Sequence, residues 1–374
     1  MTTSSTQSNE SNIEIRRITP PNIGDAYLGE KILCYRPMKH GAPNLSLAQE
    51  GEKIIAHNYG HGGSGWTLGP GSAKYVNSLL IDSNLGAGLS DKTTPIAIIG
   101  AGLIGLFTAY DLIQRGFSNI TIYAEQLTTL PSHYAGGLLA PVSMDNDHAM
   151  QAIIDEIGIE AYRFYKGIAN NENSDFKKGA RKVPSYFSSR DDSGLEPYVG
   201  KVMGPAKDVI LDFGNGTTRA MVVYDDGVFM NTALLMEELH EFMRRHHIEI
   251  IQQKIQSFDD LKQQFIFNCS GLGSRELAND SALVPVQGHL IMLKNQVPEN
   301  MNYMILVYFG EGKTEMNQKV KRSFYLFPKH LPDSAPQDIG VMGGTFIEGG
   351  SPDKPNLKEF DTIVRGAKEY FGLS

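Results

Sequence analysis

At 374 residues and 41.1 kDa, with 41% apolar content, the chain is long enough for two cored domains. A net charge of -8 and a pI near 5.7 leave no broad basic face, which excludes a phosphate-backbone partner such as nucleic acid. Its two cysteines, Cys34 and Cys269, are too few for a disulfide framework or a metal cluster, and a reducing cytoplasm is the default expectation.

Residues 1–12 are rich in Ser, Thr, Asn and Gln and read as a disordered tail with no secretory signal. Ile54-Ile55 reads as a short strand. A glycine cluster follows, His57-Asn58-Tyr59-Gly60-His61-Gly62-Gly63-Ser64-Gly65-Trp66-Thr67, where backbone can touch a planar ligand closely. A helix is expected from Gly71, with Val76, Leu79 and Leu80 on one face and its positive end toward that ligand. His57 and His61 stand four apart, but glycines argue against a helix there and no third ligand is near, so no metal is expected. Residues 81–94 are polar, glycine-bearing and aperiodic, and read as a linker. The uncharged run over 95–110 is shorter than the roughly 20 residues of a membrane-spanning helix. It reads as a buried strand, a loop and a helix start, so no membrane partner is expected.

The strand Ile96-Ala97-Ile98-Ile99, a helix over 103–115 and a strand at Ile120-Thr121-Ile122-Tyr123 make a βαβ unit. Gly100-x-Gly102-x-x-Gly105 lies between the first strand and the helix, where backbone N–H groups can meet a pyrophosphate. Glu125 ends the second strand, at the spacing where a carboxylate accepts from an adenosine ribose and repels a 2′-phosphate. A ligand-free turn is the alternative, and the motif alone leaves FAD and NAD open. Beyond Pro141 the pattern is irregular to about residue 220. A helix follows Asn231, with Leu235, Leu239, Phe242 and Met243 at helical spacing, and closes near His246-His247, which are assigned no chemistry. Phe265-Ile266-Phe267-Asn268 reads as a further parallel strand, with Cys269 a buried structural thiol at its end. Strand-like runs at 290–293, 324–327 and 339–346 suggest a second domain built on a mixed sheet.

Taken together, these motifs resemble the FAD-dependent D-amino-acid oxidase family. Cys34-Tyr35-Arg36-Pro37 and the glycine cluster are similar to that family's C-terminal motifs, and Gly100 to Gly105 to its N-terminal one. Ala135-Gly136-Gly137-Leu138-Leu139-Ala140-Pro141, Asn268-Cys269-Ser270-Gly271-Leu272-Gly273-Ser274, Ser323-Phe324-Tyr325-Leu326-Phe327-Pro328 and Gly343-Gly344-Thr345-Phe346 resemble segments between them. The order is swapped, so the expectation is a circularly permuted α/β flavoenzyme with a Rossmann-like FAD-binding domain and a mixed-sheet substrate domain. Residues 13–80 would be the moved C-terminal segment and 81–94 the new linker. The FAD domain would take 95–145 and 225–282, the substrate domain 146–224 and 283–350, and 351–374 would return to the FAD domain.

The resemblance implies FAD contacts from Gly100, Gly102, Leu103, Ile104, Gly105 and Glu125. It adds Gly136, Gly137, Leu138, Ser270 and Gly271, and on the flavin side Gly62, Gly63, Ser64, Gly65, Trp66 and Thr67. It also implies that Arg36 and Tyr325 hold the carboxylate of a small D-amino acid, with molecular oxygen as second substrate. A guanidinium forks onto a carboxylate and a phenol adds a third donor. Taken alone, Arg36 would read as a surface ion pair and Tyr325 as a core aromatic. Two departures bear on specificity. Val286-Gln287-Gly288-His289 stands where an arginine is usual, and Lys321 where a lid tyrosine is. An acidic substrate would need a second cation, with Lys319, Lys321, Arg322 and His289 as candidates; lacking a match for a lid arginine, neutral substrates are preferred. Lys39 could reach the flavin or serve as surface charge. A dehydrogenase passing electrons to another carrier and a non-catalytic FAD-binding protein stay open, as does a homodimer.

Overall fold

The computed structural model describes residues 13–141, 144 and 146–374; the tail expected over 1–12 lies outside them. Two sheets carry the molecule. The six-stranded one runs Glu249–Gln252, Ile120–Ala124, Ile96–Ile99, Phe265–Asn268, Lys53–Tyr59, Asn44–Glu50, all parallel except the last pairing. Ile96–Ile99, at its centre, is apolar at every position because both faces are covered. Ile54, Ile96, Ile98 and Phe267 point into a core shared with the helices Gly65–Ile81, Leu103–Gln114, His148–Ala169 and Thr232–Arg245. Ile55, Ala97, Ile99 and Ile266 point the other way, onto Ile255, Phe258 and Leu261.

The βαβ expectation holds to within a residue: Ile96–Ile99, Leu103–Gln114, Ile120–Ala124. The helix expected from Gly71 instead begins at Gly65 and encloses Pro70. A proline lacks the N–H that would bond back to the Trp66 carbonyl. That carbonyl is taken by the Tyr165 hydroxyl at 2.8 Å, so the first turn continues through the proline. Leu79, expected on the buried face, is only partly covered. The segment over 81–94, expected as a linker, is ordered. It coils into a 3-10 turn, Asn84–Ser90, capped by Ser83 and anchored by buried Leu89.

The segment read as irregular after Pro141 holds a 22-residue helix, His148–Ala169, capped by Asp147. Ile154, Ile157, Ala161, Tyr162, Tyr165 and Ile168 recur on its buried face, so the period was present in the sequence. Gly71 lets it close on the Gly65–Ile81 helix, since a Cβ there would sit 2.0 Å from the Ile157 carbonyl.

The larger sheet is mixed and nine-stranded: Glu14–Arg17, Lys207–Asp212, Thr218–Tyr224, Ser185–Phe187, Met304–Lys313, Lys319–Phe327, Val341–Glu348, Leu283–Leu293, Leu28–Lys39. The Lys358–Phe371 helix lays Phe360, Ile363, Ala367, Tyr370 and Phe371 against this sheet, sharing a core with Phe324 and Met342. Residues 351–374 therefore sit on the nine-stranded sheet and not on the six-stranded one. Both described ends converge on the turn after Asp212. Asn215 donates to the carbonyls of Phe371 and Gly372, while Arg17 pairs with Asp212. The last helix thus ends beside the finish of the first strand. Among the described residues no helix is long and apolar enough to cross a membrane.

Candidate active site

A cavity of about 980 Å³ opens between the two sheets. The glycine-rich turn forms one end. Gly100 has φ +111°, and a Cβ on it would lie 2.4 Å from the Cys269 carbonyl. A Cβ on Gly105 would meet the Gly100 carbonyl at 1.9 Å, so Gly105 seats helix against strand and stays out of the lining. Gly102, Leu103 and Ile104 line the cavity at the N-terminus of the Leu103–Gln114 helix, whose first amides lack intrahelical partners. Sequence reasoning passed over Ser132, whose hydroxyl accepts from the Leu103 amide at 3.1 Å. Glu125 lines the cavity just past its strand and faces Lys254 at 3.5 Å.

Along the middle lie Gly136, Gly137, Leu138, Ser270 and Gly271. Gly136 approaches the Phe327 ring so closely that a Cβ would come within 2.6 Å. From the other side come Gly62, Gly63, Gly65 and Trp66, at the positive end of the Gly65–Ile81 helix. Trp66 donates its indole N–H to the Ser132 carbonyl at 2.9 Å. Two residues expected to touch the flavin are not in the lining. Ser64 is buried, and Thr67 donates to the Ala140 carbonyl at 2.8 Å, which ties the helix to the loop after Leu138. In the same wall His61 Nε2 lies 2.8 Å from Ser72 Oγ, which donates to Asn58 Oδ1 at 2.6 Å. Burial pulls the His61 pKa down to about 4, so the ring is neutral. Burial likewise pushes the Cys269 thiol up to about 12, against the pull of Thr108, as suits an inert structural cysteine.

The other end is built on the nine-stranded sheet. Arg36 donates Nη1–H to the Thr345 carbonyl at 3.2 Å, and Gly288 leaves room for its guanidinium, since a Cβ there would be 2.4 Å from Nη2. Tyr325 lines the same end, where the Arg36 charge acts on its phenol. Its ring stacks on Phe327 at 4.7 Å, over Gly343, where any Cβ would strike the phenol. Burial raises the Tyr325 pKa, with Arg36 opposing, and the phenol stays protonated.

The four candidate cations separate. Arg322 is forked onto the buried Glu359 at 2.6 and 2.8 Å. His289 is fully buried between Thr345 Oγ1 at 2.7 Å and the Pro355 carbonyl at 2.9 Å, and burial lowers its pKa, so it is neutral. Lys319 is exposed outside the lining; Lys321 lines the cavity, 3.7 Å from Glu311. Lys39 pairs with Asp280 at 3.1 Å and is not in the lining. Among the described residues no group of His, Cys, Asp and Glu could hold a metal ion.

A long trough with helix N-terminal amides at one end and glycines pressed along both walls suits an extended dinucleotide. Residues 95–373 match the family model described as FAD dependent oxidoreductase, and the chain belongs to that family. Its cofactor is FAD. The chain is 28% identical over 217 residues to the D-amino-acid oxidase of Dictyostelium discoideum, covering 55% of this chain and 59% of that one, less than two thirds of its length. It is 26% identical over 290 residues to the human D-aspartate oxidase, covering 71% and 74%. Among solved structures, glycine oxidase from Bacillus cereus superposes with a TM-score of 0.52 at 14% identity, covering 74% and 79%. An FAD-bound L-alpha-glycerophosphate oxidase from Mycoplasma pneumoniae gives 0.51 at 14%, covering 74% and 78%. These two likenesses show the fold.

Proposed function

We propose that the protein oxidatively deaminates small neutral D-amino acids, using FAD and molecular oxygen. The observation that carries this is the pairing of Arg36 with Tyr325 at the far end of the cavity from the glycine turn. Arg36 forks onto the substrate carboxylate, and Tyr325 adds its phenolic proton to the same group. The Thr345 carbonyl and the Phe327 ring hold those two side chains in place, so orientation is set before substrate arrives. Leu290, Leu306 and Phe327 make this end apolar and keep water from the reacting carbon. Bound FAD would accept the Cα hydride, and oxygen would return it to the oxidised state with release of peroxide. No side-chain base is needed. The residues that would hold FAD are Gly100, Gly102, Leu103, Ile104 and Glu125 at the ADP end, then Gly136, Gly137, Leu138, Ser270 and Gly271. Gly62, Gly63, Gly65 and Trp66 would hold the flavin side. Neutral substrates are favoured because Arg322, although in the cavity lining, is forked onto Glu359 and His289 is buried and neutral; Lys321, also in the lining, keeps an acidic side chain in the test.

An anaerobic absorbance titration of the FAD-loaded protein with D-alanine, D-proline and D-aspartate tests this. Bleaching by a neutral D-amino acid, with peroxide on admitting air, is the expected result. A yellow protein that no D-amino acid bleaches would sink the assignment.

We also propose that residues 13–80 stand in for the family's C-terminal segment, a circular permutation. The matched region begins at residue 95, and the segment before it is built into both sheets. Lys53–Tyr59 pairs with Phe265–Asn268, and Leu28–Lys39 with Leu283–Leu293. On this reading the six-stranded sheet and its helices, His148–Ala169 included, form the FAD domain, and the nine-stranded sheet with Lys358–Phe371 forms the substrate domain.

A further inference from the structure

Lys329 follows the Lys319–Phe327 strand and has no exposed surface. Its Nζ donates to the His133 carbonyl at 2.7 Å, the Ala135 carbonyl at 2.6 Å and Thr232 Oγ1 at 2.6 Å. Three N–H donors thus meet three neutral acceptors. Among the described residues no carboxylate pairs with it. The titratable groups facing it are the Cys34 thiol on the Leu28–Lys39 strand and the His133 ring, whose buried Nδ1 has no partner. Further out, His240 lies near His133, and Arg181 near His330. A buried cation without a counter-ion is costly to keep, so the place where its three bonds end is informative. His133 belongs to the Pro131–Tyr134 turn, Ala135 opens the cavity-lining loop 135–138, and Thr232 begins the Thr232–Arg245 helix. Lys329 is also two residues from Phe327, the ring that supports Tyr325.

We propose that Lys329 is a positioning residue that latches the cavity-lining loop 135–138 onto the nine-stranded sheet, so that the order of that wall, and with it FAD affinity, follows the protonation of this one amine. As an ammonium it fills all three acceptors. As an amine it has two N–H donors and a lone pair, and the lone pair is best met by the Thr232 hydroxyl. That hydroxyl now donates to the Ala135 carbonyl at 2.8 Å, and turning it to Lys329 takes a bond from the loop. Burial pulls the ammonium down to about 7, so the exchange of forms falls near neutral pH.

The test is amide hydrogen exchange over residues 133–138 of the FAD-loaded full chain, corrected for intrinsic rates, from pH 6 to 9. The Kd for FAD is measured in parallel by quenching of flavin fluorescence. Wild type should lose protection by roughly fivefold or more through neutrality, with FAD affinity falling in step. Lys329→Met removes the titrating group and should flatten both profiles; Thr232→Val should shift their midpoint; His133→Gln should leave them as in wild type. A flat wild-type profile would overturn the proposal. So would a dependence that survives in Lys329→Met, or one abolished by His133→Gln. FAD affinity needs no substrate, so failure here is separate from failure of the D-amino-acid assignment.

Discussion

Arg36 is the residue on which the substrate reading turns. Deleting a charge-assisted bidentate hydrogen bond in a desolvated site costs about 1.5–3 kcal/mol, or roughly 10- to 100-fold in binding. Arg36→Ala should raise KM for the preferred D-amino acid by that factor while FAD content stays at the wild-type level. Steady-state kinetics beside the flavin absorbance ratio check it. His61 gives a prediction with a sign. Its folded pKa of about 4 lies below the ordinary 6.5, so between those values the unfolded chain binds the extra proton. Its contribution is whole above pH 6.5 and is lost as pH falls toward 4, by roughly 3 kcal/mol in all. Urea unfolding at pH 7 and 4.5 should show a smaller acid loss in His61→Gln than in wild type. Short motifs single out Arg36 and Tyr325 in the sequence, and the structure places both in one cavity lining. Ser132 and Lys329 were not legible there, since their meaning lies in a partner about 30 and 200 residues away.

At the level of elements, hydrophobic period and glycine placement were legible wherever one segment decides its own structure, as in the βαβ unit and the helix after Asn231. The first turn of Gly65–Ile81 was hidden because Pro70 signals a break, and the repair comes from Tyr165 on another helix. Tyr165→Phe leaves the buried Trp66 carbonyl without a donor and should cost about 1–2 kcal/mol. Pro70→Ala restores the native N–H donor, so the same substitution in that background should cost much less. Chemical denaturation of the four proteins of this double-mutant cycle reads the difference. Equal costs in both backgrounds would show that the hydroxyl does not stand in for the missing amide. The His148–Ala169 helix was a different case: its period was readable, but the polar residues before and after it obscured the signal.

Across the whole molecule, both ends of the described chain rest on one turn, at Asp212 and Asn215. A rearranged chain that joins Ser374 to Ile13 through a short flexible linker, and opens within 84–90, should fold and bind FAD with an unchanged absorbance spectrum. Failure to take up FAD, with the sheets intact by circular dichroism, would count against the permutation. The mixed α/β class was readable from the sequence, whereas the placement of 351–374 was not, because an amphipathic helix does not name the sheet it will cover.

The Lys53–Tyr59 strand has a consequence during synthesis. It is buried along nearly its whole length, and its parallel neighbour is Phe265–Asn268, some 200 residues later. Leu28–Lys39 waits as long for Leu283–Leu293. At the usual pace of translation, about 5–20 residues per second, the edge each strand will offer to its later partner stands unsatisfied outside the ribosome for roughly 10 to 40 s, although Lys53–Tyr59 pairs early with Asn44–Glu50 on its other side. With the glycine-turn unit made first, the chain could have begun folding as it emerged. In this order the earliest segments are the ones that must wait, and the nascent protein depends on whatever shields them until its last third arrives.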